Sequence, residues 1–279
     1  MNTFELVVGQ SEQGKKVSAI LRRKYPLAPA WVLKKALKDK DIKINGTRIS
    51  SDVKTEAGDR ILWYSQWKEP DFPIIFEDEN ILIINKPSGI SSDQQADGAT
   101  SIESWGIARD AFIVHRLDQQ ASGLLIMAKN EDIKLVLEDA LANKTIVNSY
   151  QCLVYGVPHL NHAILQAYLI KDAKRGEVRV TNTNREFAKQ IVTEYDVIQA
   201  RGDSSRLLVT LHTGRTHQIR AHLAFNGHPI LGDDKYGSRE ANRLLKYKRL
   251  MLAATSMEFQ ADGELAYLKG RKFEIDAPF

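Results

Sequence analysis

The sequence predicts an α+β fold: a large mixed, mainly antiparallel sheet with flanking helices, preceded by a small N-terminal α/β domain. Three observations carry this. From Ile74 onward strand-like apolar runs outnumber helical patterns, and short turns join several of them. The first 66 residues carry a helix–helix–hairpin pattern of their own. The chain's densest run of basic residues, Lys15 to Arg48, falls within that same stretch.

In the N-terminal domain, taken as residues 1–66, Val17, Ile20 and Leu21 mark the apolar side of one helix. Pro29 stands just before a second, with Val32, Leu33, Ala36 and Leu37 turned inward. Lys34, Lys35 and Lys38 lie outside that apolar stripe. Ile42-Lys43-Ile44 alternates as a strand does, and Asn45-Gly46 supplies a turn that tolerates positive φ. Gly58-Asp59 opens a last strand through Ile61, Leu62 and Trp63. Two helices on a small hairpin sheet result. Residues 67–73, with two prolines, read as a linker to a domain spanning 74–279.

In that larger domain Ile74–Phe76 and Ile81–Ile84 flank an acidic turn, and Phe112–Val114 and Leu124–Met127 flank an exposed turn holding Asp118. A helix fits Ile133–Leu141, with Ile133, Val136, Leu137 and Leu141 on one side. Further strands are expected at Tyr150–Tyr155, Ile164–Ile170, Arg206–Leu211 and Leu250–Phe259. Thr216 is placed to cap a helix that buries Ile219 and Leu223.

The 279-residue chain has a net charge of only +4, unevenly spread. Lys15 to Arg48 holds eleven Lys/Arg against Asp39 and Asp41, an excess of nine that leaves −5 for the remainder. Such segregation favours a nucleic-acid partner over a merely solvated face. The single cysteine, Cys152, excludes a disulfide framework and any cysteine-based zinc site, which suits a reducing cytoplasm. No apolar run reaches bilayer length and the N-terminus lacks a secretion-signal layout, so a cytoplasmic protein is expected, without a membrane.

Two segments hold the candidate chemistry. One is His115-Arg116-Leu117-Asp118, followed by Ser122-Gly123-Leu124-Leu125-Ile126; the other is Gly214-Arg215-Thr216-His217-Gln218-Ile219-Arg220-Ala221-His222. Alone, Asp118 reads most simply as a turn aspartate bonding its own backbone; its place between two rigid strands raises the functional reading. An arginine such as Arg220 could hold a carboxylate by a bidentate pair, although a lone arginine is more often a solvated or ordinary salt-bridge residue. Around them His115, Arg116, Arg215, His217 and Gln218 form a basic and polar wall suited to phosphate and base. His212, His217, His222 and His228 are five, five and six residues apart, not the three or four of helical zinc sites, so no metal is expected and these rings are assigned to backbone or phosphate. Phosphate-loop and nucleophile-elbow motifs are absent.

From about Ile74 to the C-terminus the chain resembles the RluA family of RNA pseudouridine synthases. The resemblance rests on an ordered set: Asn85-Lys86-Pro87-Ser88-Gly89, the two segments above, Tyr150, Gly227-His228-Pro229-Ile230-Leu231-Gly232-Asp233 with Tyr236-Gly237, and Arg249-Leu250-Met251-Leu252. Residues 15–64 are similar in pattern and charge to the small RNA-binding domain of ribosomal protein S-four. The resemblance implies the pseudouridine synthase catalytic fold and isomerisation of uridine within structured RNA, ribosomal RNA first and transfer RNA second, by a monomer needing no cofactor or metal. Asp118 matches the essential aspartate, which attacks the anomeric carbon or removes the neighbouring ribose proton; both routes need an ionised, desolvated carboxylate. Arg220 matches the arginine paired with it, Tyr150 the tyrosine that stacks on the uracil and can assist proton removal from carbon five, Arg116 the side chain that fills the space left by the everted base, and Leu252 the apolar floor.

Departures fall at Gln119, Gln120 and Ala121, where the family usually has a charged pair and a threonine, a change able to loosen the Asp118 turn. Asn148 and Ala253 replace a common basic residue and a common histidine. A non-catalytic RNA-binding or ribosome-assembly protein on this fold is the alternative. A glycoside hydrolase ranks lower, because it would need a second, opposed carboxylate.

Overall fold

A computed structural model describes residues 1–25, 27–94, 100–172 and 176–279. The chain forms two compact units, Met1–Phe72 with Ile90–Ile113, and Pro73–Gly89 with Val114–Phe279. Ile90–Ile113 therefore groups with the N-terminal residues, whereas the sequence reading placed it in the larger domain.

The first unit begins with β1 (Asn2–Val7), α1 (Val17–Lys24), α2 (Ala30–Lys38), β2 (Ile42–Ile44), β3 (Thr47–Ile49) and β4 (Arg60–Ser65). Its antiparallel sheet has the order β1-β4-β2-β3, so β1 adds a strand to the expected hairpin sheet. Both helices bury the residues their periodicity selects: Val17, Ile20 and Leu21 from α1, and Val32, Leu33 and Ala36 from α2, against Ile42, Ile61 and Trp63. Pro29 is the N-cap of α2, with φ −56°. Asn45 and Gly46 take φ values of 49° and 86°, as a tight hairpin requires. Trp67, at the start of the expected linker, stacks on Trp63 with ring centroids 5.6 Å apart.

The chain then supplies β5 (Ile74–Glu77) and β6 (Ile81–Lys86) to the second unit and returns to the first for α3 (Ile102–Ile107) and β7 (Phe112–Ile113). The rest belongs to the second unit: β8 (Ser122–Ala128), α4 (Glu131–Ala142), β9 (Ile146–Tyr155), β10 (His162–Asp172), β11 (Glu177–Thr181), β12 (Lys189–Arg201), β13 (Ser204–Leu211), α5 (Gln218–Phe225), α6 (Arg239–Leu244), β14 (Leu252–Phe259) and β15 (Lys272–Glu274).

Its sheet runs β11-β10-β12-β13-β9-β14-β8-β6-β5, with β15 on β14. Only β14 and β8 pair in parallel among these neighbours; the others are antiparallel, so the sheet is mixed and mainly antiparallel, as the sequence predicts. Helix α4 starts at its cap Asn130, whose side chain accepts from Ile133 N–H at 2.8 Å. It lays Ile133, Leu137 and Ala140 on a core of Ile81, Ile83, Leu124, Ile126, Met257 and Phe259.

One glycine sets the geometry on which the site depends. Gly123 has φ 113°, and a Cβ there would lie 2.2 Å from the Ala254 carbonyl oxygen. Its lack of a side chain lets β8 close on β14 at the parallel pair Gly123–Ala254, while β9 brings Tyr150 opposite the same Ala254. The turn before β8 and the ring on β9 are thereby held to one short piece of β14.

Candidate active site

Asp118 lies in the connection leading into β8, its side chain 23% exposed, so the turn is partly buried rather than open. The turn closes through main chain, Ala121 N–H donating to Asp118 C=O at 3.0 Å. The segment after β6 grips it from the other side. Gly89 N–H donates to the Gln119 carbonyl at 2.8 Å, Ser88 Oγ to the Gln120 carbonyl at 2.6 Å, and Lys86 Nζ to the Gln119 carbonyl at 3.2 Å. At the departures Gln119 and Gln120 the ties run through carbonyl groups, which every residue carries, and the Gln119 side chain adds one more, Nε2 donating to the Gly89 carbonyl at 3.2 Å. Lys86 is fully buried, and desolvation pulls its pKa down to about 8 against the opposing charge of Asp118.

Arg220, on α5, is 3% exposed and faces three carboxylates. Its Nη1 donates to Asp118 Oδ2 at 3.1 Å. The bidentate partner is Asp233, through Nε to Oδ2 and Nη2 to Oδ1, both at 2.8 Å. Asp234 accepts a longer bond from Nη2, at 3.3 Å. The fork anticipated for Asp118 thus belongs to Asp233, and one remaining N–H aims the guanidinium at Asp118. Burial alone would lower the pKa of Arg220; the hydrogen bonds and charge of Asp233, then of Asp118, outweigh it and push the value up. Burial likewise opposes ionisation of Asp233, and Arg220 with the Tyr236 and Lys235 N–H groups overcomes it.

Helix α5 begins one residue later than Thr216 capping would require. Its N-cap is His217, in the left-handed region with φ 52°, and no side chain caps it. Gln218 secures the entry instead, its Oε1 accepting from Arg215 N–H at 3.1 Å and from Thr213 Oγ1 at 2.9 Å. Its Nε2 donates to Thr193 Oγ1 at 3.0 Å and to the Val192 carbonyl at 3.1 Å. The unusual backbone of His217 turns its ring into the site: Nδ1 lies 2.9 Å from Tyr236 Oη and Nε2 lies 3.9 Å from Asp118 Oδ1. Desolvation lowers its pKa, although Asp118 pulls the other way.

A pocket of about 410 Å³, its open mouth included, is lined by Arg116, Leu117, Asp118, Ala121, Tyr150, Leu211, Arg215, His217, Gln218, Ile219, Arg220 and Leu252. The acid, the guanidinium and the phenol ring thus share one pocket, with Leu252 and Leu211 as apolar wall and exposed Arg116 and Arg215 among its lining. Burial, and secondarily the charge of Asp118, push the Tyr150 phenol up to about 12, so it holds its proton at neutral pH. His115 does not line this pocket; its Nε2 accepts from Ile126 N–H at 3.2 Å, and desolvation pushes its pKa down to about 4. Lys34, Lys35 and Lys38 stand exposed on α2 in the first unit. Sequence reasoning missed Lys86, Asp233 and Tyr236 as parts of the site, and their only signal was membership of the quoted motifs.

The other histidines bond protein. His222 Nδ1 meets Thr193 Oγ1 at 2.9 Å, and His228 Nδ1 lies 3.4 Å from the Tyr155 carbonyl. His212 pairs instead with a carboxylate, Glu194, at 2.6 Å, a partner the sequence did not suggest. Among the described residues, His162, Glu194 and Asp196 form the one group with ligand atoms close enough to share a cation, within 4.8 Å, on strands β10 and β12. No helix of the described residues is long and apolar enough to cross a membrane.

Residues 80–225 match the family model described as RNA pseudouridylate synthase. The chain is 31% identical to the ribosomal large subunit pseudouridine synthase C of Rickettsia felis, over 83% of this chain and 85% of that protein. It is 29% identical to the protein of that name from Salmonella typhimurium, over 98% of this chain and 92% of that one. Among solved structures, Human RNA Pseudouridylate Synthase Domain Containing 1 superimposes with a TM-score of 0.63 at 21% identity, covering 77% of this chain and 87% of that one, a likeness of fold. The chain belongs to the RluA-type RNA pseudouridylate synthases. It is an enzyme that isomerises uridine to pseudouridine.

Proposed function

We propose that this enzyme acts on uridines of ribosomal RNA in the cytoplasm, as a monomer without metal or cofactor, with Asp118 as its reactive group. The observation that carries the site assignment is the single pocket in which Asp118 accepts from Arg220 while Tyr150 and Leu252 stand beside it. The substrate assignment draws on the relatives, whose names place them on the ribosomal large subunit.

The target nucleotide leaves its stack and enters the pocket, at a cost of about a few kcal/mol. Arg116 takes the vacated place in the RNA. The uracil lies on the Tyr150 ring, with Leu252 below. Asp118 then either attacks the anomeric carbon, forming an ester as the bond from ribose to the uracil nitrogen breaks, or removes the adjacent ribose proton so that the same bond breaks. The freed uracil turns, and its carbon five bonds the anomeric carbon as the Asp118 ester breaks or as Asp118 returns the ribose proton; the proton on carbon five passes to water, and the freed nitrogen takes one up. Asp233 locks Arg220, and Arg220 fixes the Asp118 carboxylate for both bond-breaking and bond-making. Burial keeps the Tyr150 phenol protonated near neutral pH in the free enzyme, which suits stacking on the uracil. Arg215 and His217 hold the flanking phosphates, and the basic first unit docks the RNA.

Mapping pseudouridines in ribosomal and transfer RNA from cells with and without the gene tests this. Discrete uridines of large-subunit RNA should lose the modification in its absence. Unchanged ribosomal RNA, or losses confined to transfer RNA, would overturn the substrate assignment.

A further inference from the structure

Helix α2 presents to solvent a side chain that its apolar periodicity does not require. Val32, Leu33 and Ala36 are buried, while Trp31, Lys34, Lys35 and Lys38 are exposed. These four fall at i, i+3, i+4 and i+7, one stripe along the helix. Trp31 is 60% exposed, the residue type with most to gain from burial, at the end of a row of lysines. Lys35 pairs with Asp39, whereas Lys34 and Lys38 form no ion pair among the described residues.

The stripe sits within the most basic part of the chain, Lys15 to Arg48. Protein interfaces are depleted in lysine, so three lysines around the ring argue against a protein occupant. A nucleic-acid strand satisfies both halves of the stripe: ammonium groups meet phosphates, and the indole offers a face to a base. A base-paired duplex has already stacked its bases on one another, leaving an isolated tryptophan no face to cover. We propose that Trp31 is a stacking platform for an unpaired nucleobase of the RNA, with Lys34 and Lys38 on the flanking phosphates. This rests on the reading of the first unit as an RNA-docking module and makes it selective for single-stranded or looped segments.

Binding of the full-length protein to a labelled single-stranded oligouridylate, and to a blunt-ended duplex stem of matched charge, can be followed by fluorescence anisotropy over a salt series. Trp31→Ala and Trp31→Leu should each weaken single-strand binding about tenfold with the salt slope unchanged. Trp31→Phe should recover most of the loss, and stem binding should stay as in the wild type. Lys34→Ala with Lys38→Ala should flatten the salt dependence on both RNAs by about two counterions. The indole is exposed, so thermal unfolding of the Trp31 variants should match the wild type. If the lysine variant flattens the slope while Trp31→Ala binds normally, stacking is overturned and docking stands, leaving Trp31 to a protein partner. If neither changes binding, both the stacking and the docking reading fall. Equal loss on strand and stem would also overturn stacking.

Discussion

At the residue scale, one buried arginine organises the site. Arg220 neutralises Asp233, whose side chain has no exposure, and turns its remaining N–H to Asp118. Removing it strands a buried carboxylate, a loss of about 3–5 kcal/mol by comparison with other broken buried pairs. Arg220→Ala should therefore lower stability by about that much in urea unfolding and abolish isomerisation. Adding Asp233→Ala should restore much of the stability, because the orphaned charge is gone, but none of the activity. A double variant as unstable as the single one would show that Arg220 stabilises by packing rather than by pairing. The Asp118–Arg220 partnership was legible in the sequence because both residues stand in recognisable motifs. The Asp233 fork was not, since a pair between residues thirteen positions apart, on a helix and in the loop that follows it, leaves no local pattern. Lys86 was hidden for a similar reason: a lysine reads as a surface residue until a fold buries it against carbonyl groups.

At the scale of elements, α5 joins the site to the sheet. It carries Arg220 toward Asp118 and, two residues on, places His222 against Thr193 of β12. Desolvation pushes the His222 pKa from 6.5 down to about 4, and His115, under β8, shows the same shift. The sign follows from linkage. Between those values the unfolded chain binds a proton that the folded chain refuses, so stability falls as pH falls from 6.5 toward 4 and levels off below. Each ring contributes roughly 3 kcal/mol to that total decline. Urea unfolding across this pH range should show the decline, and His222→Asn, which keeps a partner for Thr193 without titrating, should reduce it. An unchanged slope would mean that His222 titrates alike in the folded and unfolded states. Elements with strong local signals were legible: the Asn45-Gly46 hairpin, α2 behind Pro29, and α4 from the spacing of Ile133, Val136, Leu137 and Leu141. Strand β12 was missed although Ile191, Thr193 and Tyr195 alternate inward, because Thr193 is polar and is buried only through its bonds to Gln218 and His222. Helix α3, six residues long, is too short to show a period.

At the scale of the whole molecule, the basic stretch from Lys15 to Arg48 lies in the first unit, whereas the pocket belongs wholly to the second. Fold class could be read from strand pattern, and the meeting of Asp118, Tyr150 and Arg220 in one pocket from motif order. The grouping of Ile90–Ile113 with the N-terminal residues could not, because a chain that leaves a unit and returns carries no composition shift to mark the return. Nor could the polar ties of the Asp118 turn, which run through main-chain groups that sequence does not distinguish.

Release of label from carbon five of uridine in ribosomal RNA, measured alongside RNA binding for Asp118→Asn, addresses the central claim most directly. The amide preserves the shape of the pocket and removes the carboxylate. Binding close to that of the wild type with no label released and no pseudouridine formed is the result expected. Measurable isomerisation by Asp118→Asn would place the reactive group elsewhere and contradict the account.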